Sequence, residues 1–508
     1  MEQNTTNSYK AVIIGGGPAG LTSGYCLAKA GQPVMILEAD PQYVGGISRT
    51  ASYKGFLFDI GGHRFFSKAK QVEDLWTEIL PNDFLERPRM SRIFYGGKFY
   101  SYPLKAMEAF FNLGPIQSAM CVLSYAKARA FPKPSVKSFE DWITNQFGER
   151  LFNIFFKTYT EKVWGMSCKE ISADWAAQRI KGLSLGTAIK NALFAGLKPT
   201  PKDKKELVKT LITTFRYPRK GPGMMWEECK RKIEGFGGKV SMGTRVTGCR
   251  YDKASRSWIV EAKTKDGQAI TVRGEHVISS APMRELIPSL EPKASPNAVK
   301  AAQSLRYRDF LTVVLILKGQ DAFPDNWIYI HEPSVKVGRI QNFKSWSPEM
   351  VPDPAYSCYG LEYFCFEGDG LWTAKDSDLV DLGRQEFAKI GLAKADDIVD
   401  GCVVRQIKAY PVYDDMYSKH VDTIRQDLGA NYPNLHLVGR NGMHKYNNQD
   451  HAMMTAMLAA ENIIAGRQVW DIWEVNQDAE YHESGSAGEQ GASGERMVPR
   501  KVSVPAQG

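Results

Sequence analysis

Four apolar residues in a row, Ala11–Ile14, open the patterned part of the chain, and four more, Val34–Leu37, close its first unit. Between the two runs Leu21, Tyr25 and Ala28 recur at helical spacing. The stretch therefore predicts strand, turn, helix and second strand. A further apolar run ends in GFLFDIGGHRFF (55–66), and YGGKFYSY (95–102) reads as a short hairpin stopped by Pro103. From Leu104 to about Leu211 the period turns helical, with few strand signals. Strand patterning returns at 239–246, in the meander SWIVEAKT, QAITVRG and HVISS, and in the long run 305–318 with WIYIHE and YGLEYFCF. A last strand, LHLV, meets a turn at Gly439–Arg440 and a helix ending near Gly466. Residues 483–508 are Gly/Ser/Glu-rich without period and read as a disordered tail.

The first turn carries chemistry. Gly15, Gly17 and Gly20 form G-x-G-x-x-G where a strand becomes a helix. Gly15 permits the tight turn, Gly17 lets the backbone approach a pyrophosphate, and Gly20 lets the helix pack closely on the sheet. The helix N-terminus offers N–H groups and a positive dipole end to the diphosphate. Glu38 ends the second strand, placed to accept from ribose hydroxyls. The glycine spacing alone often marks only a flexible turn; with strand, helix, strand and acid in register it marks a dinucleotide site.

Two loops follow from the same logic. Gly45-Gly46 ahead of Arg49 suits a loop passing over the flavin side of a dinucleotide, where Arg49 would neutralise phosphate charge; the plainer alternative is an exposed arginine after a turn. Gly61-Gly62-His63 ends a strand where backbone comes close to a flat ring, and His63 would point at whatever that ring touches; a purely structural histidine is the alternative. At Gly439–Arg440 and Asn448–Gln449 a Gly-Arg turn and a polar helix start suggest anion and ring-edge contacts.

Composition narrows the class. The 508 residues suffice for two or three packed lobes, and 43% hydrophobic with 24% charged content is that of an ordinary globular protein. The net charge of +9 is partly local: eight basic residues stand against two acids between Lys198 and Lys220. That stretch reads as a solvated face, or as attraction for an anionic substrate or acidic membrane. No aromatic-basic module accompanies it, so nucleic acid is not expected. Eight scattered cysteines without metal spacing read as reduced thiols and predict no metal site. MEQNTTNSYK runs straight into the first strand without a leader pattern, and no apolar run reaches the ~20 residues of a membrane span. The expectation is a cytoplasmic protein.

Together the fingerprint, GGISRT and GFLFDIGGHRFF resemble the FAD-dependent amine oxidase, protoporphyrinogen oxidase and desaturase superfamily. GGHRFF most resembles the flavin-facing loop of UDP-galactopyranose mutases of the eukaryotic type. TYTEKVWG is similar to the Y-x-x-K-x-W segment of those mutases, and GRNGMHKYNNQDH to their closing segment, with Tyr446 closer to Asn448 than in them.

The resemblance implies an α/β fold: a discontinuous Rossmann-type FAD-binding domain (8–104, 215–300 and 406–470), an inserted helical lobe (105–214) and a mixed β-sheet substrate lobe (301–405). It implies FAD as cofactor, held at Gly15, Gly17, Gly20, Glu38, Gly46, Arg49, Gly61, Gly62, Val246 (adenine), Gly439, Asn448 and Gln449. The implied reaction is pyranose/furanose interconversion of a nucleotide sugar through N5 of reduced FAD. Arg179 and Arg440 would hold the diphosphate and His63 the flavin-facing loop. Tyr159, Trp164, Tyr307, Lys318, Tyr410 (with Tyr413 as its fallback) and Tyr446 would shape the substrate pocket, although Tyr159 and Trp164 also read as helix-packing aromatics and Arg179 as a surface arginine. The partner is then a small molecule, with NAD(P)H left open as reductant. The alternative is a net FAD-dependent oxidoreductase of the amine oxidase, porphyrinogen oxidase or desaturase type on an apolar or lipid-linked substrate. The apolar, aromatic stretch 106–131 reads either as core packing or as a surface docking helix for a lipid-linked substrate, with peripheral membrane contact left open.

Overall fold

The structure, a computed structural model, describes residues 8–102, 104–173, 213–319, 321–476, 498–499 and 501–502. Its first unit is β1 (Ser8–Ile14), α1 (Pro18–Lys29) and β2 (Val34–Leu37). β1 lies between two parallel partners, β2 on one side and the distant strand Ala269–Ser279 on the other. Ala11 and Ile13 enter the core shared with α1 and the late helix Gln449–Ala465, while Val12 and Ile14 enter the opposite core with Trp258 and Leu286. Burial on both faces is why the run is continuously apolar rather than alternating.

Eight strands form this first sheet. Beside Ala269–Ser279 run the antiparallel strands Ser257–Thr264 and Thr244–Asp252, the expected meander, and Leu435–Leu437 joins the end of Ala269–Ser279 in parallel. The C-terminal ends of β1 at Ile14 and of Leu435–Leu437 thereby meet at Ser279, and the start of Thr244–Asp252 is tied to the end of β2 by the bond from Thr244 N–H to Glu38 O, although these residues are scattered along the chain.

A second sheet of seven strands has Tyr307–Lys318 between Ile398–Pro411 and Tyr356–Cys365. Tyr307–Lys318 is buried along its length except at Lys318. Two of the expected boundaries differ from what is seen. The hairpin Ser91–Tyr95/Lys98–Ser101 forms as expected, but it joins this second sheet through Trp327–Ile330 instead of continuing the first lobe to residue 104. Strand Ile398–Pro411 runs unbroken through 405, where no glycine or proline marks a stop. A separate pair, Phe84–Pro88 with Thr214–Pro218, ties the two ends of the helical insertion together.

The insertion is helical as expected from Ala106 to Trp164. Residues 174–212, with Arg179 and most of the basic stretch, lie outside the described residues, as does most of the 483–508 tail. Of that tail, Val498 rests on the first core and Lys501 bridges to Trp470. All eight cysteines are free thiols, six of them buried, in keeping with the reading from sequence. No helix among the described residues is long and apolar enough to cross a membrane.

Candidate functional site

At the end of the first sheet the chain turns into α1 through Gly15, whose φ of 95° is left-handed. A Cβ at Gly20 would lie 1.8 Å from the carbonyl oxygen of Gly15, so this glycine serves the packing of helix against turn. Gly17 differs: a Cβ there would meet nothing closer than Gly46 at 3.9 Å, and the space beside it belongs to a long cleft. Gly17 is the N-cap of α1 and has no side-chain hydrogen bond to offer, which leaves the first-turn N–H groups for a ligand.

The cleft runs from Glu38 and Val246 at one end, past Gly15, Gly17 and Gly46, to His63, Gly439, Arg440, Asn448 and Gln449 at the other. Glu38 accepts from the N–H groups of Gly16 and Asp40, and burial raises its carboxyl pKa against the pull of those bonds. Arg49 does not line the cleft. Its Nη1 donates to Gly46 O at 2.9 Å and to Gln406 Oε1 at 2.6 Å, bracing the Gly45–Ser48 loop. The second glycine loop is likewise braced from outside: a Cβ at Gly62 would lie 2.9 Å from Gln341 Nε2 of the second sheet.

His63 lines the inner end, with Nδ1 3.0 Å from Gly61 O. A carbonyl only accepts, so Nδ1 carries the proton and Nε2 is the acceptor the ring offers to the cleft. Burial first, and then Arg440, push this imidazole down to about 3. It is neutral at ordinary pH.

Arg440 donates from Nε to Asn447 O and from Nη1 to Ala409 O, both at 2.9 Å. Its guanidinium stands 5.2 Å from the Tyr410 ring and 5.3 Å from the Tyr446 ring. Those two rings stack 5.6 Å apart at 15°, and Trp164 approaches Tyr446 at 6.3 Å. Tyr446 thus joins the aromatic wall despite its shifted spacing. Tyr413, the fallback for Tyr410, instead receives the backbone N–H of Tyr446 on its hydroxyl.

Sequence reasoning missed Arg339. Its Nε and Nη2 sit on Glu362 Oε2 at 2.9 and 2.6 Å, and Nη2 is 3.9 Å from where a Cβ at Gly61 would lie. A second cation therefore stands behind the His63 loop; it opens the short strand Arg339–Asn342, whose pattern gives no sign that sheet register sets it beside Gly61.

Other expected residues lie elsewhere. Tyr307 is buried in the opposite core with its ring edge-on to His444, away from the cleft lining. Lys318 is exposed at the other end of the same 12-residue strand, about 36 Å from Tyr307 at roughly 3.3 Å per residue. It does not reach the site. Tyr159 stacks flat on His331 at 5.0 Å, a packing role for that ring.

The cleft was tested for a dinucleotide on its own polar atoms. Gln449 opens helix Gln449–Ala465 at the cleft wall, yet among the described residues neither its Oε1 nor its Nε2 has a hydrogen-bond partner although both are buried. Such an amide costs free energy unless something polar meets it. With the open space at Gly17 and the bare N-terminus of α1, it suits a polar ring and a diphosphate, the two groups FAD would bring.

The sequence pattern of flavin containing amine oxidoreductases matches residues 18–464. In fold the chain is similar to a reduced UDP-galactopyranose mutase, with a TM-score of 0.74 and 21% identity over 90% of this chain and 94% of that one. In sequence it is similar to a 15-cis-phytoene desaturase of Arabidopsis thaliana, 36% identical over 85 residues, or 17% of this chain. It is also similar to an L-amino-acid oxidase of Crotalus adamanteus, 40% identical over 70 residues, or 14% of this chain. The chain spans only 15% of the desaturase's length and 13% of the oxidase's.

Proposed function

The chain belongs to the family of flavin containing amine oxidoreductases, FAD-dependent enzymes, and on that premise we propose that it is a nucleotide-sugar pyranose/furanose mutase. The observation that carries this reading is what surrounds Arg440 at the inner end of the cleft: the stacked rings of Tyr410 and Tyr446 against its guanidinium, with Arg339 behind the His63 loop. Two guanidinium groups beside an aromatic wall suit a diphosphate ester of a sugar; an oxidase for an apolar substrate has no use for such a clamp.

Gly15, Gly17, Gly46, Asn448 and Gln449 hold the dinucleotide, with Glu38 and Val246 at its adenosine end. When bound and reduced, FAD supplies the nucleophilic nitrogen that ring interconversion needs. Arg440 and Arg339 hold the diphosphate as charge grows on it, and Arg179, outside the described residues, is a third cation of this proposal. Tyr410, Tyr446 and Trp164 wall the sugar and keep water out. Neutral His63 accepts a hydrogen bond at Nε2. Interconversion itself consumes no electrons, so a reductant, with NAD(P)H one candidate, is needed only to bring the flavin to its reduced state.

The test is turnover of UDP-galactofuranose by the purified yellow protein, followed by chromatography with and without dithionite. Conversion to UDP-galactopyranose only after reduction, without net oxidation, supports the mutase. A second reading, net oxidation of an apolar or lipid-linked substrate, has the desaturase and amino-acid oxidase similarities in its favour. Inactivity on nucleotide sugars together with peroxide formed from such a substrate would put that reading first.

A further inference from the structure

In the helical lobe, helices Ala106–Leu113 and Pro115–Ala130 meet at Gly114 and form a hairpin whose polarity is reversed. The side of Pro115–Ala130 that faces the protein is polar or small: Ser118 and Cys121 are buried, Ser118 Oγ bonds Phe110 O, and Ser124 Oγ accepts from the N–H of Arg150. The outward side is apolar. Ile116 is 78% exposed, Leu123 70%, Phe111 on the partner helix 70% and Phe131 just past the end 79%. Isolated apolar residues on a surface mean little, but a contiguous set this large marks a contact face.

Charge identifies the partner. Residues 104–137 hold five cations, Lys105, Lys127, Arg129, Lys133 and Lys137, against one acid, Glu108, which is turned to the backbone of Ser101. All five cations are exposed, and among the described residues only Lys133 is in an ion pair, with Asp141. An apolar face whose own segment, 104–137, carries five exposed cations and no exposed acid matches the acyl and headgroup layers of an anionic bilayer. The longer helix has 16 residues, about 24 Å at 1.5 Å per residue, too short for a hydrocarbon core of about 30 Å. A helix of this length can lie along an interface but cannot span.

We infer that this hairpin docks the protein on anionic membrane surfaces, with Phe111, Ile116, Leu123 and Phe131 entering the acyl boundary and the flanking lysines and arginine meeting lipid phosphates. The inference does not depend on which reaction the cleft performs.

The experiment is co-sedimentation of the flavin-loaded full chain with vesicles of equal parts phosphatidylglycerol and phosphatidylcholine, against vesicles of phosphatidylcholine alone. Bound protein is expected to be at least about tenfold higher on the anionic vesicles and to fall in high salt. Phe111→Ser/Ile116→Ser/Leu123→Ser/Phe131→Ser should abolish sedimentation, and Lys127→Glu/Arg129→Glu should weaken it; flavin absorbance and melting temperature check that both variants fold. The inference is overturned if the wild type ignores anionic vesicles or if both variants still sediment with them. It is equally overturned if light scattering shows a wild-type dimer that the apolar variant dissolves without any vesicle binding, since the face would then belong to a second copy.

Discussion

Arg339 and Glu362 are joined at 2.6 Å, the carboxylate wholly buried and its other oxygen held by Gln341 Nε2. The pair joins two strands of the second sheet and fixes the position of the cation behind the His63 loop, the one proposed to hold the diphosphate. Burial of Glu362 without its partner is costly, so each side of the pair has a separate signature.

Arg339→Lys keeps the charge but loses the planar fork that grips both Glu362 and a diphosphate. Flavin content should be unchanged, while kcat/KM for the nucleotide sugar falls by at least about tenfold. Glu362→Gln leaves the guanidinium without its counter-charge and should lower unfolding free energy by about 3 kcal/mol, read from denaturant curves.

The two fingerprint glycines should fail differently. Gly20→Ala forces a Cβ against the Gly15 carbonyl and should give a chain that neither melts cooperatively nor carries flavin. Gly17→Ala has room in the protein itself, so its circular dichroism should match wild type. It fills the space beside the diphosphate, and the ratio of absorbance at the flavin band to that of protein should drop towards zero.

Four histidines, His331 and His444 buried and His63 and His436 half-buried, hold imidazoles pushed far down by loss of solvent: His63, His331 and His436 to about 3 and His444 to about 4. A folded pKa below the unfolded value near 6.5 means that the unfolded chain takes up more protons. Stability is therefore complete above pH 6.5 and is lost as pH falls towards 3–4. Denaturant unfolding at pH 5 should give a free energy more than about 2 kcal/mol below that at pH 7.

Asp59 runs the other way. Its carboxyl is buried with the Tyr217 hydroxyl at 2.6 Å and Thr50 at 3.2 Å, and burial pushes it up to about 8. A raised folded pKa stabilises below the unfolded value near 4 and loses that contribution as pH rises through 8. Asp59→Asn should match wild type near pH 4 and unfold at a higher denaturant concentration above pH 8.

What the sequence disclosed follows from what local patterning encodes. The β1–α1–β2 unit, the hairpin at Gly96–Gly97, the long strand 307–318 and the last helix each state their period within a few residues. Arg440, His63 and Gln449 were legible because glycine turns or a helix start announce where they stand. Arg339 was not, since its relevance comes only from the sheet register that sets it beside Gly61. Tyr307 and Lys318 came only from the resemblance, and an extended strand of 12 residues keeps these two ends apart. Arg49 was expected over the dinucleotide but is turned away, because Gln406, far along the chain, captures its side chain.

The pairing of β1 with Ala269–Ser279, and of that strand with Leu435–Leu437, also fixes the order of events on the ribosome. The fingerprint strand is made first, but one flank stays open until residues 269–279 emerge, and the inner wall of the cleft until residues 439–449 do. At about 5–20 residues per second that interval is roughly 20–85 s. Throughout it the nascent chain displays an unpaired apolar edge, a natural target for holding chaperones. Coenzyme loading is then a closing act of biosynthesis, and a chain stalled before Leu435 carries the motif without the site.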